Sequence, residues 1–414
     1  MARTAEALTR HDVVEHLRAT DAAPSSGPLR VGVEQEWHTY RLDEPGRHLR
    51  PEEIFAAVDA GASLPHGSLV TVEPGGQVEL ATLPFTPWTD ALTALRVDGA
   101  ALRESLAMAG IAVLGAGTDP WRDPVRTLRK PRYDAMEAYF DRGGPAGRRM
   151  MSGCASIQIN IDSGAGVEPD RRWQLAHRIG PALAAAFACS PDREHRSLRL
   201  ATWNAIDPTR TSSALRSGSL AEDWPDYVLD ALLMLLHDDA DRCRPVDEVI
   251  TFGGWLEEGI AGRRPELQDL IYHCTTLFPP VRPRGWLELR WLDSLPAGLA
   301  DTAVAAVVAV LTDEEAADRA GRAVADVADL WPEAAARGPG HPELAAAGAT
   351  ILRDAAVALD RVPGASLFAE AVADAGERWP CRGRCPADDL EERLRRGIGL
   401  LDLTDPPMEV ARWR

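Results

Sequence analysis

The sequence predicts an α+β fold in which helices cover a mainly antiparallel sheet. Short runs of alternating apolar and polar residues, typical of strands with one buried face, recur between residues 31 and 293. Long stretches rich in alanine and leucine lie between these runs and predict helices. Because the strands and helices do not alternate regularly, as they do in parallel βαβ folds, the antiparallel arrangement is favoured.

These patterns place the predicted elements along the chain. The predicted strands are VGVEQEWHTY (31–40), SLVTVE (68–73), GQVELATL (76–83), ASIQINID (155–162) and GWLELRWLD (285–293). The predicted helices are 88–109, 169–189, 225–238, 297–328 and 343–359. Residues 1–295 are therefore predicted to form the part with the sheet, and 296–414 a mainly helical cap packed on the same domain.

Composition and charge narrow the class of protein. Of the 414 residues, 45% are hydrophobic, which allows a sizeable core. The 63 Asp and Glu residues outnumber the 45 Lys and Arg residues, and the net charge of -18 disfavours binding to nucleic acid or anionic membranes. The N-terminal residues lack the apolar core of a signal peptide, and no apolar tract is long enough to span a bilayer. We therefore expect a cytoplasmic protein.

Several familiar site motifs are missing from the sequence. Among six dispersed cysteines only Cys381 and Cys385 lie close together, and no second cysteine or histidine pair is nearby. Their spacing favours structural or free thiols over a redox or metal role. No cluster has zinc spacing, and neither GxxxxGK[ST] nor GxGxxG occurs, so neither zinc nor a phosphate loop is predicted.

Four glutamates are placed together by strand geometry. Side chains two apart in a strand point to the same face, so Glu34 and Glu36 project together from VGVEQEW. In EPGGQVELATLP the Pro-Gly-Gly predicts a turn, with Glu73 at the end of one strand and Glu79 within the next. The hairpin therefore adds two more carboxylates.

The later strands also have polar faces. Those faces carry Ser156, Gln158, Asn160 and Asp162 in one strand, and Trp286, Glu288 and Arg290 in the other. A sheet face exposed to water would alternate in the same way, but lysine and threonine are nearly missing here and glutamate dominates. Gathered acidic groups repel each other unless a hard cation lies among them, and carboxylate and amide oxygens suit Mg²⁺ or Mn²⁺. The strands therefore predict a divalent-cation site.

Arginines form a second group of candidates. SLRLATWNAIDPTRTS (197–212) places Arg199 in a short strand-like segment and Arg210 after a proline-containing turn. Planar guanidinium groups bind carboxylate or phosphate through two hydrogen bonds, although surface salt bridges would explain these arginines as well. The basic run WRDPVRTLRKPRY (121–133) is a candidate anion-binding loop, although charged runs are usually solvated.

Six motifs, in this order, resemble those of a known family. They are GVEQEW, VEPGGQVELATLP, KPRYDAM, SIQINID, SLRLATWNAIDPTRT and WLELRWLD. Together they resemble the glutamate–cysteine ligases of the plant and proteobacterial type, most of all the actinobacterial branch that supplies γ-glutamylcysteine for ergothioneine synthesis. The resemblance covers about residues 30 to 295, and EPGGQxEL is specific when it occurs with GxExE and LExR.

The resemblance implies a fold, a reaction and a set of metal ligands. The implied fold is similar to that of glutamine synthetase, with a curved sheet forming a funnel for ATP, two or three Mg²⁺ ions (or Mn²⁺) and L-glutamate. ATP phosphorylates the γ-carboxylate, which the amine of L-cysteine then attacks. The implied metal ligands are Glu34, Glu36, Glu73, Glu79, Gln158 and Glu288. Some distant ligases have histidine in place of Gln158, but an amide oxygen can also coordinate Mg²⁺.

The resemblance also implies roles for other residues and for partners. Arg290 would face the transferred phosphate, so Arg290 and Glu288 are the implied catalytic residues. The implied positions near substrate or nucleotide are Arg132, Tyr133, Arg199, Trp203 and Arg210. The expected partners are L-glutamate, L-cysteine and ATP, with no nucleic acid or membrane, for a monomer or weak homodimer. The alternatives are a ligase of the same fold with another amine, and a catalytically silent ligand-binding relative.

Overall fold

The computed structural model describes residues 8–61, 63–239, 242–260, 262–399 and 403–404. The strands are β1 (Val31–Arg41), β2 (Leu69–Val72), β3 (Val78–Ala81), β4 (Ile111–Leu114), β5 (Ser156–Ile161), β6 (Leu235–Asp239), β7 (Arg242–Pro245), β8 (Val281–Pro283) and β9 (Leu287–Asp293). The helices before β8 are α1 (Arg10–Ala19), α2 (Pro51–Asp59), α3 (Thr89–Met108), α4 (Pro131–Phe140), α5 (Ala146–Gly153), α6 (Glu168–Arg178), α7 (Gly180–Ala186), α8 (Leu198–Asn204), α9 (Pro208–Thr211), α10 (Leu220–Asp230), α11 (Phe252–Glu258) and α12 (Leu267–Cys274). Those after β9 are α13 (Leu299–Thr312), α14 (Glu314–Ala323), α15 (Trp331–Arg337), α16 (Pro342–Leu359), α17 (Ser366–Arg378) and α18 (Pro386–Arg395).

The main sheet is antiparallel and centred on β1. Its order is β2-β3-β1-β5-β9-β8, and β4 pairs with the C-terminal half of β1. The registers place Glu36 opposite Glu79 on β3, and Glu34 opposite Gln158 on β5. The predicted α+β class with a mainly antiparallel sheet is confirmed, and all five predicted strands are present.

One face of the sheet is the core face. Ile157, Ile159 and Ile161 of β5 are fully buried, and α13, which is buried from Leu299 to Leu311, packs against β5. Glu34 and Glu36 alternate with buried neighbours in β1 and keep part of their surface exposed. The period of two in the sequence therefore separates an apolar face that packs on helices from a polar face that carries the carboxylates.

The turn between β2 and β3 carries Glu73 and depends on two glycines. The Glu73 N–H donates to the Gln77 carbonyl at 2.8 Å, and Gly76 has a φ of 85°, which favours glycine. A Cβ at Gly75 would lie 2.0 Å from the Ser152 carbonyl oxygen. The Pro-Gly-Gly sequence thus permits both the reversal and the close approach of the turn to α5.

The C-terminal part is helical, as predicted, from α13 to α18. One hydrophobic cluster extends from Val13 in α1 through the sheet to Leu390 in α18, and so includes residues on both sides of position 295. The division at residue 295 therefore stays a prediction. Among the described residues, no helix combines the length and the apolar character that crossing a bilayer would demand.

Four predicted elements were wrong in detail. The predicted helix 225–238 ends at Asp230, and residues 235–239 form β6, because a short apolar run fits either structure. Arg199 lies in α8, whose first turn is capped by the Ser197 side chain, and not in a strand. The predicted helices 169–189 and 297–328 are each divided in two, at Ile179 and at Asp313.

The two neighbouring cysteines are not joined. Cys381 is exposed and Cys385 is buried, and neither forms a disulfide. Burial raises the pKa of the Cys385 thiol well above its usual range. The raised pKa keeps Cys385 a thiol, which fits the structural role expected from its spacing.

Candidate functional site

Three carboxylates converge on the polar face of the sheet. Glu36 and Glu79 are directly opposed on β1 and β3, and Glu73 reaches the same place from the turn after β2. One oxygen from each of Glu36, Glu73 and Glu79 lies within 4.8 Å of the others, close enough to share a cation. The structure thus brings together three of the six predicted ligands, here called the carboxylate cluster.

Burial and mutual repulsion raise the pKa values of this cluster. Burial, then Glu36 and then Glu79, raise the pKa of Glu73 well above its usual range. Burial and Glu36 raise the pKa of Glu79 to about 7, and burial together with Glu79 does the same for Glu34. Burial also raises the pKa of Glu36, although Arg199 and a hydrogen bond from Ser156 oppose the increase. The ionised cluster is therefore unfavourable unless positive charge is supplied among the oxygens.

The cluster belongs to a polar row that crosses the whole sheet. From β2 to β8 its members are Thr71, Glu79, Glu36, Gln158, Arg290, Glu288 and Arg282. The Thr71 hydroxyl donates to Glu79 at 2.6 Å, and the Gln158 amide donates to Glu36 at 3.3 Å. Arg290 donates to the Gln158 amide oxygen, and also to Glu288 at 3.0 Å. The row therefore has an acidic end at the cluster and a basic end at the arginines.

Glu288 lies at the basic end of the polar row and accepts hydrogen bonds from two arginines. Arg282 donates to both of its oxygens, at 2.7 and 3.1 Å, while Arg290 donates to one of them. Burial alone would raise the pKa of Glu288, but Arg282 and Arg290 outweigh burial and lower it to about 2. Glu288, predicted as a metal ligand, is thus a carboxylate whose two oxygens both accept hydrogen bonds from arginine in this structure.

Glu34 is held beside the cluster by an amide. The Asn160 side chain donates to Glu34 at 2.9 Å, and the Trp286 indole donates to the Asn160 oxygen at 2.8 Å. Trp286 keeps 38% of its surface exposed. Asn160 therefore fixes the orientation of Glu34, a role that strand alternation alone did not assign.

The first turns of α8 pack beneath Arg290. Arg199 is 2% exposed, and its guanidinium donates to the Arg290 carbonyl at 2.7 Å. The Trp203 ring centre lies 5.8 Å from the Arg290 guanidinium carbon. Asp293 accepts a hydrogen bond from Ser197, the residue that caps α8, at 2.8 Å. Arg199 and Trp203 are thus brought to the basic end of the row, as a site there would require.

The remaining predicted residues lie at different distances from the cluster. Burial, and next the charge of Glu73, raise the pKa of Tyr133. Arg132 points elsewhere, donating to the Thr275 hydroxyl and carbonyl at 2.9 Å each. Arg210 has no exposed surface and donates to the carbonyls of Thr276 and Leu232, at 2.8 and 2.6 Å. These contacts give Arg210 a structural role, in which it holds the backbone at Thr276 and Leu232.

Two of the five cationic side chains in the basic run 121–133 are paired with acidic groups of the protein. Arg122 forms a buried ion pair with Asp119 at 2.7 Å. Arg126 pairs with Asp134 at 2.5 Å and with Glu137 at 2.7 Å. With these guanidinium groups already paired, the run offers less positive charge to an anion than its sequence suggests.

Sequence reasoning missed Arg282, which is 9% exposed on β8. Its strand has only three residues, too few to display alternation, although register places Arg282 opposite Glu288. The only available signal was the spacing of Arg282, Arg284, Glu288 and Arg290 around a glycine turn. That spacing is compatible with a hairpin whose two strands present opposite charges to each other.

Comparisons with known proteins identify the family of this chain. A family model described as glutamate-cysteine ligase family 2 (GCS2) matches residues 30–398. The chain is 38% identical to the glutamate–cysteine ligase EgtA of Mycobacterium tuberculosis over 388 residues, 90% of this chain and 88% of that protein. It is 26% identical to the chloroplastic glutamate–cysteine ligase of Brassica juncea over 320 residues, 70% of this chain and 61% of that protein.

A solved structure has a similar fold. The crystal structure of glutamate–cysteine ligase from Francisella tularensis in complex with AMP matches with a TM-score of 0.54. The match covers 92% of this chain and 88% of that chain at 14% sequence identity. At so low an identity, the similarity concerns the fold.

Proposed function

This chain belongs to glutamate–cysteine ligase family 2, and we propose that it joins the γ-carboxylate of L-glutamate to the amine of L-cysteine, with ATP converted to ADP. The family consists of ATP-dependent ligases, and small-molecule substrates are consistent with that activity. The product would be γ-glutamylcysteine, supplied for ergothioneine synthesis as the similarity to EgtA suggests.

The observation that carries this proposal is the carboxylate cluster at the end of a row that also holds Arg290. Three oxygens within 4.8 Å of one another form a donor set that fits a hard divalent cation. Bound there, Mg²⁺ would neutralise the nucleotide phosphates and bring the anionic glutamate and ATP together. Glu36, Glu73 and Glu79 would hold it, with Glu34 and Gln158 alongside, while Glu288 stays a predicted ligand.

The protein's own part is to place two anions beside each other and to stabilise the transferred phosphoryl group. Arg290 is held between Glu288 and Gln158, so its guanidinium has a fixed direction beside the cluster. We propose that it donates to the γ-phosphoryl group as that group moves to the glutamate carboxylate. The acyl phosphate so formed is attacked by the cysteine amine, phosphate leaves, and no protein nucleophile is needed.

Two neighbouring groups support this arrangement. Trp203, whose ring lies 5.8 Å from the Arg290 guanidinium, shields one side of that group. Asn160 holds Glu34 at 2.9 Å and so limits how far the cluster can rearrange. Both contacts favour one geometry before substrates bind, which reduces the reorganisation needed in the reaction.

The direct test is product formation by purified protein. We expect ADP release and a product of the mass of γ-glutamylcysteine only when ATP, Mg²⁺, L-glutamate and L-cysteine are all present. Coupled ADP detection and mass spectrometry would follow the reaction, with a panel of amines in place of cysteine. Activity that survived full chelation would contradict the metal proposal. Equal efficiency with alanine would favour the ligase of the same fold that accepts another amine.

The stabilising effect of Mg²⁺ should depend on pH. Since the pKa values of Glu34 and Glu79 are raised to about 7 from 4.5, the folded protein keeps protons that the unfolded chain has lost. Ionising these groups therefore destabilises the metal-free fold as the pH rises through 7, and a bound cation reverses that loss. We expect Mg²⁺ to raise the Tm more at pH 8 than at pH 6, measured by thermal unfolding against chelator. Equal shifts at both pH values, or equal shifts with K⁺ at matched ionic strength, would contradict this expectation.

A further inference from the structure

Arg282 is a buried side chain to which neither the sequence motifs nor the proposed reaction gives a role. It lies on β8, the edge strand at the basic end of the polar row. Its guanidinium donates to the Leu277 carbonyl at 3.0 Å and to the two oxygens of Glu288 at 2.7 and 3.1 Å. The side chain is therefore fixed to the backbone on one side and grips a carboxylate with two parallel bonds on the other.

Glu288 transmits this constraint to Arg290. One Glu288 oxygen accepts from both Arg282, at 2.7 Å, and Arg290, at 3.0 Å. A carboxylate held on two sides has one orientation. Without Arg282, Glu288 would keep only Arg290 and a longer ion pair with Arg284, at 3.5 Å, and could turn. The direction of the Arg290 guanidinium thus depends on a bond that Arg290 does not make itself.

The backbone of Arg290 is fixed as well. Its N–H donates to the Pro280 carbonyl at 2.9 Å, and its carbonyl accepts from Arg199 at 2.7 Å. With the backbone fixed, what remains to be set is the end of the side chain. Glu288 sets it from one side and Gln158 from the other.

We propose that Arg282 is a positioning residue for phosphoryl transfer: it locks Glu288 in place and, through Glu288, aims the Arg290 guanidinium at the acidic end of the row. This inference rests on the proposed function, because it assigns Arg282 to the same site. The guanidinium of Arg282 is already bonded to the Leu277 carbonyl and to both oxygens of Glu288, so we assign it to holding Glu288 and not to contacting the phosphate.

Arg282→Met tests this role by removing both bonds to Glu288 while keeping an apolar chain of similar length. We expect kcat to fall about a hundredfold, since small misplacements of reacting groups cost that much, with the KM values for glutamate and cysteine nearly unchanged. Arg282→Lys keeps the positive charge but cannot form the bidentate hydrogen bond to Glu288, so its kcat should lie between those of Arg282→Met and the wild type. A folded Arg282→Met variant with normal kcat would overturn the proposal.

A purely structural role for Arg282 predicts a different pattern. Arg172 is a matched control, because it is 8% exposed and donates to the carbonyls of Asp162, Ser163 and Leu311, outside the row. Arg172→Met should lower the Tm but leave the kcat of the folded fraction unchanged. If Arg172→Met lowered kcat as much as Arg282→Met, loss of fold would explain both, and the positioning role would fall.

A double variant asks whether Arg282 acts through Glu288. If it does, adding Arg282→Met to Glu288→Gln should change kcat far less than Arg282→Met does in the wild type, measured as single-turnover product formation. Full additivity would mean that Arg282 acts independently of Glu288 and would overturn the inference. Failure of the proposed function would be seen in the wild-type protein, which would then form neither ADP nor ligated product. Failure of the Arg282 proposal would be seen only in the variants, with the wild-type protein active.

Discussion

Glu73→Gln is expected to lower the rate of ADP formation at saturating substrates at least about a hundredfold while leaving the fold intact. Among the described residues, none donates a hydrogen bond to the Glu73 carboxylate, which faces Glu36 and Glu79 instead. Glutamine keeps the size of the side chain but removes a charge from the proposed cation site. The loss of rate should be accompanied by a weaker dependence of the Tm on Mg²⁺.

The same substitution should stabilise the metal-free protein. Burial and two neighbouring carboxylates raise the pKa of Glu73, so an ionised Glu73 costs folding energy without a cation. A neutral amide relieves that repulsion, and the Tm in chelator should rise at pH 8. Opposite effects on activity and stability are typical of a group retained for function and would not be expected at a merely structural position.

Glu53→Gln is the matched control for this prediction. Glu53 accepts two hydrogen bonds from Arg47, at 2.8 and 2.9 Å, and those bonds lower its pKa to about 2. Its replacement should lower the Tm and leave turnover unchanged, the reverse of Glu73→Gln. Near-normal turnover of Glu73→Gln at limiting Mg²⁺ would remove Glu73 from the site.

The acidic part of the site could be predicted from the sequence because it depends on local rules. Strand alternation places Glu34 and Glu36 on one face, and a Pro-Gly-Gly turn folds Glu79 back toward Glu73. Both predictions need only a few consecutive residues. The register of β1 with β3, which makes Glu36 face Glu79, is not local, because α2 and β2 lie between the two strands along the chain. That register depends on which face of each strand is buried.

Glu288 and Arg290 follow from strand alternation too, but Arg282 and the helix around Arg199 could not be predicted in the same way, because they depend on pairing between elements that lack a clear local pattern. β8 has three residues, too few for alternation to mark Arg282 as facing Glu288. The segment around Arg199 alternates enough to resemble a strand, but Ser197 caps it as a helix, and Asp293 on β9 holds that cap. Such long-range contacts decide structure where local propensity is balanced.

A sulfoximine analogue of the γ-glutamylcysteine dipeptide should inhibit slowly, tightly and only in the presence of ATP and Mg²⁺. Its tetrahedral centre imitates the carbon under attack by the cysteine amine, and its nitrogen can accept the γ-phosphoryl group of ATP. The phosphorylated analogue would occupy the acyl-phosphate, amine and metal positions together. Transition-state analogues bind about 10² to 10⁸ times more tightly than substrates, so preincubation with ATP should abolish turnover.

Arg290→Ala should weaken this inhibition sharply, because the lost guanidinium is the group proposed to meet the transferred phosphate. The substitution need not unfold the site: Glu288 keeps its two bonds from Arg282, at 2.7 and 3.1 Å, and so does not become an unpaired buried charge. Arg172→Met is again the control, since it removes a buried arginine outside the row, and its inhibition should match the wild type.

The decisive measurement is the dependence of the inhibition on ATP. Progress curves with and without preincubation, and recovery of the phosphorylated analogue by mass spectrometry, separate phosphorylation on the protein from simple occupation of the glutamate position. If Arg290 acts on the moving phosphoryl group, Arg290→Ala should slow formation of the phosphorylated analogue more than it weakens the initial binding of the unphosphorylated one. Ordinary competition with glutamate, indifferent to ATP and to Arg290→Ala, would contradict both the acyl-phosphate route and the role of Arg290, because neither could then contribute to the tight complex.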